Sequence, residues 1–235
     1  MTISSLRRLL ATLVVATVAL AGGTRTSAGS ADRCTPGVHR LELGNGRTAL
    51  MRVGPGGEAD KKALILVLHG AGGSAQDGLF AFRGGWDARD VVLLAPAARG
   101  PTWSLLLGTG DDLHTVDRAL TQAYARCRID SARVGIGGFS DGATYALSLG
   151  VANGRLFHAI MALSPGGVHA RKRIGKPRIF VAHGTNDHVL PFAQTRNDLV
   201  PELRREGYAV TFRSFVGGHS APAAISHAAV RWFLR

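Results

Sequence analysis

The sequence predicts an α/β fold: a mainly parallel sheet with helices on both faces. Three observations carry that expectation. Several apolar runs, such as the one inside "KKALILVLHG", are unbroken instead of alternating, as in strands covered on both sides. Segments with a helical pattern fall between those runs along most of the chain. The length, 235 residues, leaves room for one domain with a substantial core once a leader is set aside.

The elements follow in order. Val38 to Leu43 and Thr48 to Val53 read as strands joined through Gly44-Asn45-Gly46, and the Asn-Gly step signals a hairpin. The run bounded by Lys62 and His69 is the first buried strand. Ser74 opens a polar helical segment that ends near Arg89, and Val91 to Leu94 form the next strand. A helical pattern from Asp111 to Arg126 carries acids early and Arg126 late, as the helix dipole favours. "RVGIGGFS" is a short strand, followed by a helix from Asp141 to Asn153. "HAIMALSPG" and "RIFVAHG" are further strands; Phe192 to Glu206 reads as a helix, "AVTFRSFVGGH" as a strand and Ala221 to Leu234 as the closing helix.

The N-terminus has its own pattern. Arg7 and Arg8 precede an apolar run, Leu9 to Ala21, with small and polar residues after it through Ala28. This layout predicts a signal peptide over residues 1–28, cleaved after Ala28 or Ala31, and an exported protein, secreted or held in the periplasm or cell envelope. The run is shorter than the roughly 20 residues of a membrane span, so no stable span is expected after cleavage.

The formal charge is +12, and losing Arg7, Arg8 and Arg25 with the leader leaves +9. Such a balance suits an anionic partner or an arginine-rich solvated surface. Only "HARKRIGKPR" at 169–178 concentrates the charge, and it lacks the interleaved aromatics that stack on bases, so no nucleic acid is expected. Cys34 and Cys127 are an even pair in an exported chain, which predicts a disulfide.

Gly138-Phe139-Ser140-Asp141-Gly142 matches G-x-S-x-G at a strand-to-helix junction. There the serine occupies a sharp turn, and the glycines let neighbouring backbone pass close by. A serine hydroxyl is a weak nucleophile at neutral pH, so it needs a base and a group to orient that base. Chain order for such a site is serine, acid, histidine, each beyond a later strand. Asp187 in "HGTNDHVLPF" and His219 in "FVGGHSAP" occupy those places. His69 and His183 read as loop-shaping residues at strand ends, and His188 as a bystander. His183, Asp187 and His188 lack the additional spaced ligands of a zinc site, so no metal is expected.

At these residues the chain resembles the α/β-hydrolase superfamily. The likeness is closest to lid-poor phospholipase/carboxylesterase and polyhydroxybutyrate-depolymerase-like serine esterases. "LHGAGGS", "GGFSDG", "HGTNDHVLPF" and "FVGGHS" occur in the expected order, so the resemblance covers roughly residues 60–235. It implies an α/β-hydrolase domain over 34–235 that cleaves esters through an acyl-enzyme without cofactor. Ser140 would be the nucleophile, His219 the base and then acid, and Asp187 its orienting carboxylate. The backbone N–H groups of Ala71 and Asp141 would form the oxyanion hole, and the Asp141 carboxylate would disfavour anionic substrates.

Between Ser164 and Arg178 the chain is too short for the cap that larger relatives insert, so no large cap domain is expected. The pocket must then come from short loops, with Trp103, Leu105, Leu106 and Leu107 as candidate walls. Such a shallow site suits a small-molecule ester or the ester at a polymer end. A serine peptidase, an acyltransferase and a non-catalytic envelope-binding protein of the same fold are the rival readings.

Overall fold

In the computed structural model, which describes residues 34–104 and 112–235, an antiparallel hairpin comes first. β1 (Gly37–Gly44) pairs with β2 (Arg47–Val53), and the turn holds Asn45 at φ 53° and Gly46 at φ 68°. A tight hairpin demands those left-handed angles, which is why Asn-Gly stands there. β3 (Lys62–Leu68), β4 (Val91–Pro96), β5 (Ile129–Phe139), β6 (Ala159–Leu163), β7 (Arg178–Gly184) and β8 (Val210–Phe215) complete the sheet. Among the described residues it has eight strands in the order β1-β2-β4-β3-β5-β6-β7-β8. Every pairing from β4 to β8 is parallel, so these strands all end at one edge.

Among the described residues the helices are α1 (Ala75–Ala81), α2 (Asp112–Arg126), α3 (Asp141–Ala152), α4 (192–205, in three successive segments) and α5 (Ala223–Phe233). They cover both faces. Leu64, Leu66 and Leu68 of β3 share one core with Leu120 of α2, Leu147 of α3 and Leu203 of α4. Ala63, Ile65 and Val67 share the other with Leu79 of α1 and Val230 and Phe233 of α5. Every residue of β3 is buried, and each of its Leu or Ile side chains contributes about 1.5–3 kcal/mol.

Three elements differ from the expected ones. The segment after Ser74 begins with a capping box between Ser74 and Asp77, but α1 stops at Ala81 and a 3-10 turn follows at Arg83–Gly85. α5 docks on that turn: a Cβ at Gly84 would sit 2.1 Å from the Ala223 carbonyl. β5 starts at Ile129, because Ile129 still pairs with Lys62 of β3. α4 passes from Phe192–Gln194 through a π turn at Thr195–Leu199 into Val200–Arg205. Pro201 has no N–H to continue α-type bonding there, and a π turn accommodates the gap.

The connection from Ser164 to Arg178 contains no helix or strand, so no cap domain rises from it. The leader expected over 1–28 lies outside the described residues, as do Leu105, Leu106 and Leu107.

Cys34, just ahead of β1, is bonded to Cys127, just after α2, across 93 residues of chain. Constraining a loop of that length in the unfolded chain is worth about 4–5 kcal/mol at most. Reduction is therefore expected to lower the thermal unfolding midpoint by about 10 °C. Recovery of two freely alkylated thiols from oxidised, denatured protein would refute the bond.

Candidate active site

β5 ends at Phe139 and α3 begins at Asp141, so Ser140 alone makes the turn between them. It does so at φ 57° and ψ −120°, a conformation that costs a non-glycine residue of order 1–3 kcal/mol. The flanking glycines permit it by close approach. A Cβ on Gly138 would lie 2.3 Å from the Gly142 carbonyl, and one on Gly142 would lie 2.3 Å from the Leu68 oxygen. The Ser140 N–H donates to Leu163 O at 2.9 Å, which ties the turn to β6.

Two later loops reach the Ser140 side chain. His219, in the loop after β8, places Nε2 2.8 Å from Ser140 Oγ and Nδ1 2.7 Å from Asp187 Oδ2. A carboxylate only accepts, so Nδ1 carries the proton and Nε2 is left to accept from the hydroxyl. Asp187, in the loop after β7, is saturated. Its Oδ1 accepts from the Val189 and Leu190 N–H groups at 2.9 Å each, and Oδ2 accepts from two imidazoles. The second imidazole is His183, whose Nε2 lies 3.0 Å from Oδ2 and 2.9 Å from Leu190 O.

His183 was expected to shape its loop; it also grips the Asp187 carboxylate. The four-residue spacing across a turn is the only trace of that contact in the sequence. His183 lies in β7, and the turn after it, where the Asp187 N–H donates to Gly184 O, brings the carboxylate back to its ring. His188 points outward and is exposed.

The electrostatics follow from burial and bonding. Burial alone would raise the Asp187 carboxyl pKa, but hydrogen bonds from His219, Leu190 and Val189 outweigh it and hold the group below its ordinary value. Burial pushes His183 down, and its bonds to Leu190 and Asp187 do not restore it. Its Nδ1 is buried without a hydrogen-bond partner among the described residues, so a proton there would be a stranded donor.

The loop after β3 lies against the Ser140 turn: a Cβ on Gly70 would be 3.3 Å from Ser140 Cβ. His69 holds this loop, accepting from the Ala98 N–H at 2.9 Å and donating through Nδ1 to Gly70 O at 2.7 Å. The Gly72 N–H donates to Pro101 O at 2.6 Å. The N–H groups of Ala71 and Asp141 donate to no protein acceptor among the described residues.

Trp103 is a correction. It is fully buried, stacked on Tyr145 with ring centroids 5.1 Å apart, and donates from Nε1 to His69 O at 2.8 Å. A large aromatic beside a strand end packs into the core when its N–H finds a partner there. It therefore braces the loop after β3 instead of walling a pocket, and Leu105 lies outside the described residues. Asp141 differs too: its carboxylate accepts from Thr102 Oγ1 and from the Trp103 N–H, so it is engaged with a neighbouring loop.

Residues 111–231, just over half the chain, match the family described as Phospholipase/Carboxylesterase. Over 195 residues the chain is 27% identical to "Probable feruloyl esterase C" of Aspergillus oryzae, covering 77% of this chain and 69% of that one. Among solved structures, esterase PE8 aligns with a TM-score of 0.65 at 23% identity, covering 78% of this chain and 96% of that one. The Bacillus cereus carboxylesterase aligns at 0.63 with 20% identity, covering 81% and 94%.

His183 generates a test of its own. Its folded pKa lies below the unfolded value of about 6.5, so the unfolded chain takes up the proton first. The stability it contributes is full above about pH 6.5 and is lost as pH falls toward the folded pKa. His183→Gln keeps an N–H donor but does not titrate. It should cost about 1–2 kcal/mol at pH 7 and lose less stability than wild type between pH 7 and pH 5 in urea unfolding. Parallel pH dependences would contradict the assignment.

Proposed function

The chain belongs to the phospholipase/carboxylesterase family, and from that premise we propose an exported serine esterase that works through an acyl-enzyme. It is a carboxylic ester hydrolase. The observation that carries the mechanism is the bonded series from Asp187 Oδ2 through His219 to Ser140 Oγ.

In this reading His219 Nε2 takes the hydroxyl proton as Ser140 Oγ attacks the ester carbonyl. Charge develops on the carbonyl oxygen, where the Ala71 and Asp141 N–H groups and the N-terminus of α3 stabilise it. His219 then gives its proton to the departing alcohol, which leaves Ser140 acylated. Water attacks the acyl group with His219 again as base, and free enzyme returns. Asp187 holds the tautomer and stabilises the imidazolium, and its other bonds keep it from turning away.

The uncapped connection after β6 supports short acyl groups or esters at the end of a polymer. The likeness to a feruloyl esterase supports aryl acids among the acyl groups to test. The basic start, short apolar run and small-residue end of residues 1–28 support export.

Ser140→Ala should abolish both hydrolysis of 4-nitrophenyl acetate and labelling by a fluorophosphonate probe. His219→Ala should lose at least about a thousandfold in turnover, while His188→Ala stays within about tenfold. A labelled Ser140→Ala variant, or an active His219→Ala beside a dead His188→Ala, would overturn the assignment.

Mass analysis of the protein recovered outside the cytoplasm should find an N-terminus at Gly29 or Asp32. Recovery only from the cytoplasm with Met1 retained would overturn export.

A further inference from the structure

We propose that the end of the sheet opposite Ser140, where β6, β7 and β8 begin, is a cationic face that docks on an anionic phospholipid surface. This goes beyond the esterase reading above and does not depend on it.

Strand register sets where the face lies. β5, β6 and β7 are level at Gly135, Ala159 and Arg178, and Ser140 lies five residues further along β5, about 17 Å away. The chain passes through this far end between α3 and β6, ahead of β7, between α4 and β8, and again as α5 closes. Six exposed basic residues stand there: Arg155, Lys176, Arg178, Arg204, Arg205 and Arg231. Contacts join the segments that carry them. The Gly154 N–H donates to Ile174 O at 2.9 Å, and a Cβ on Gly154 would lie 2.7 Å from Pro177, between Lys176 and Arg178. Lys176 donates to the carbonyl of Glu206, next to Arg205, and Arg178 to that of Phe233, two residues after Arg231.

No acid among the described residues pairs with these six. Lys176, Arg178 and Arg204 donate to backbone carbonyls, which leave their charge in place, and Arg155, Arg205 and Arg231 form no ion pair. The acids at this end are taken by other bases: Glu202 and Glu206 pair with Arg173, and Asp130 with Arg133. Arg235 stands beside the terminal carboxylate and adds nothing to the excess. Where β3 and β4 begin the balance differs, because Glu58, Asp60, Asp87 and Asp90 stand among Lys61, Lys62 and Arg89. The excess therefore belongs to the β6–β8 end.

Shape and lining select the partner. The connections there are short, 153–158 from α3 to β6 and 206–209 from α4 to β8, so neither forms a long loop to wrap a thread-like polymer. A face without walls suits an extended anionic surface. Its aromatic rings already carry cations: Arg178 lies 4.7 Å from the Trp232 ring centroid and Lys176 4.4 Å from that of Tyr208, so neither ring is offered to a nucleic-acid base. Leu156 and Leu234 are partly buried against the cores, and the exposed large apolar residues, Val38, Phe80, Val189 and Val216, lie outside the face. Attraction is then to headgroups, without insertion among acyl chains, and it falls off within a Debye length. Docked this way, the protein turns the Ser140 edge to the aqueous side, and the ester reaches it from there.

Sedimentation with vesicles tests the face. Wild type, Arg155→Gln/Arg205→Gln/Arg231→Gln and a control of equal charge change, Arg171→Gln/Arg196→Gln/Arg213→Gln, are compared in the same form. The vesicles are phosphatidylglycerol mixed with phosphatidylcholine, or phosphatidylcholine alone. None of the six replaced arginines forms an ion pair among the described residues, and thermal melting checks that each variant folds. Wild type should bind only the phosphatidylglycerol vesicles and be released by added salt. The first triple variant should lose about a hundredfold in affinity and the control less than about fivefold, with 4-nitrophenyl acetate hydrolysis unchanged in the first. If that variant unfolds, Arg155→Gln alone should lose about fivefold. Equal losses in the two triple variants, no binding by wild type, or binding only to a single-stranded oligonucleotide or to polygalacturonate would overturn the proposal. Ser140→Ala should sediment as wild type does. A protein inactive on every ester that still binds through these arginines would overturn the esterase reading and keep the membrane face.

Discussion

The backbone contact at the β5–α3 junction is the constraint on which the rest depends. Ser140 sits at a positive φ only because Gly138 and Gly142 bring strand, turn and helix within touching distance of one another and of the end of β3. A side chain at either glycine would collide with a carbonyl group. The same contact aims the start of α3 past Ser140 and sets the loop after β3 beside it. One tight turn thus positions a hydroxyl, a helix N-terminus and a neighbouring backbone loop together.

Asp187 is the second fixed point, and its strength lies in being fully bonded. Two backbone N–H groups hold one oxygen and two imidazoles share the other. The two imidazoles differ in what surrounds them. His183 is fully buried and its burial favours the neutral ring, so it acts as a permanent donor. His219 retains some exposure and turns its free nitrogen to Ser140. A carboxylate gripped from four directions cannot swing, and the imidazole bonded to it inherits that rigidity.

The loops beyond β3, β4 and β5 are bound to one another. His69 accepts from Ala98, Trp103 donates to His69, and Asp141 accepts from Thr102 and Trp103. This lacing lets short connections hold shape without a cap domain above them. It also leaves the outer part of the same edge, near the β1–β2 turn, to the guanidinium groups of Arg47, Arg99 and Arg118. The laced centre and the arginine-lined flank therefore belong to one continuous edge of the sheet.

Local chemistry by itself determined a good deal here. Unbroken apolar runs mark strands covered on both faces, Asn45-Gly46 demands a hairpin, and the glycines around Ser140 announce a close backbone approach, because each signal acts within a few residues. The order of Ser140, Asp187 and His219 beyond successive strands is likewise legible in the sequence. What only the tertiary structure decided are the contacts made across strands. Trp103 looked like pocket wall and is core, because Tyr145 and the His69 carbonyl arrive from distant parts of the chain to receive it. His183 looked like a loop former and is bonded to Asp187, because it lies in β7 and the turn after Gly184 folds Asp187 back onto its ring. Arg47, Arg99 and Arg118 share a cavity because β2 is laid against β4, an adjacency that apolar periodicity does not encode. Periodicity reports which side of an element is buried; what lies opposite depends on strand order, and that is set by the packing of the whole chain.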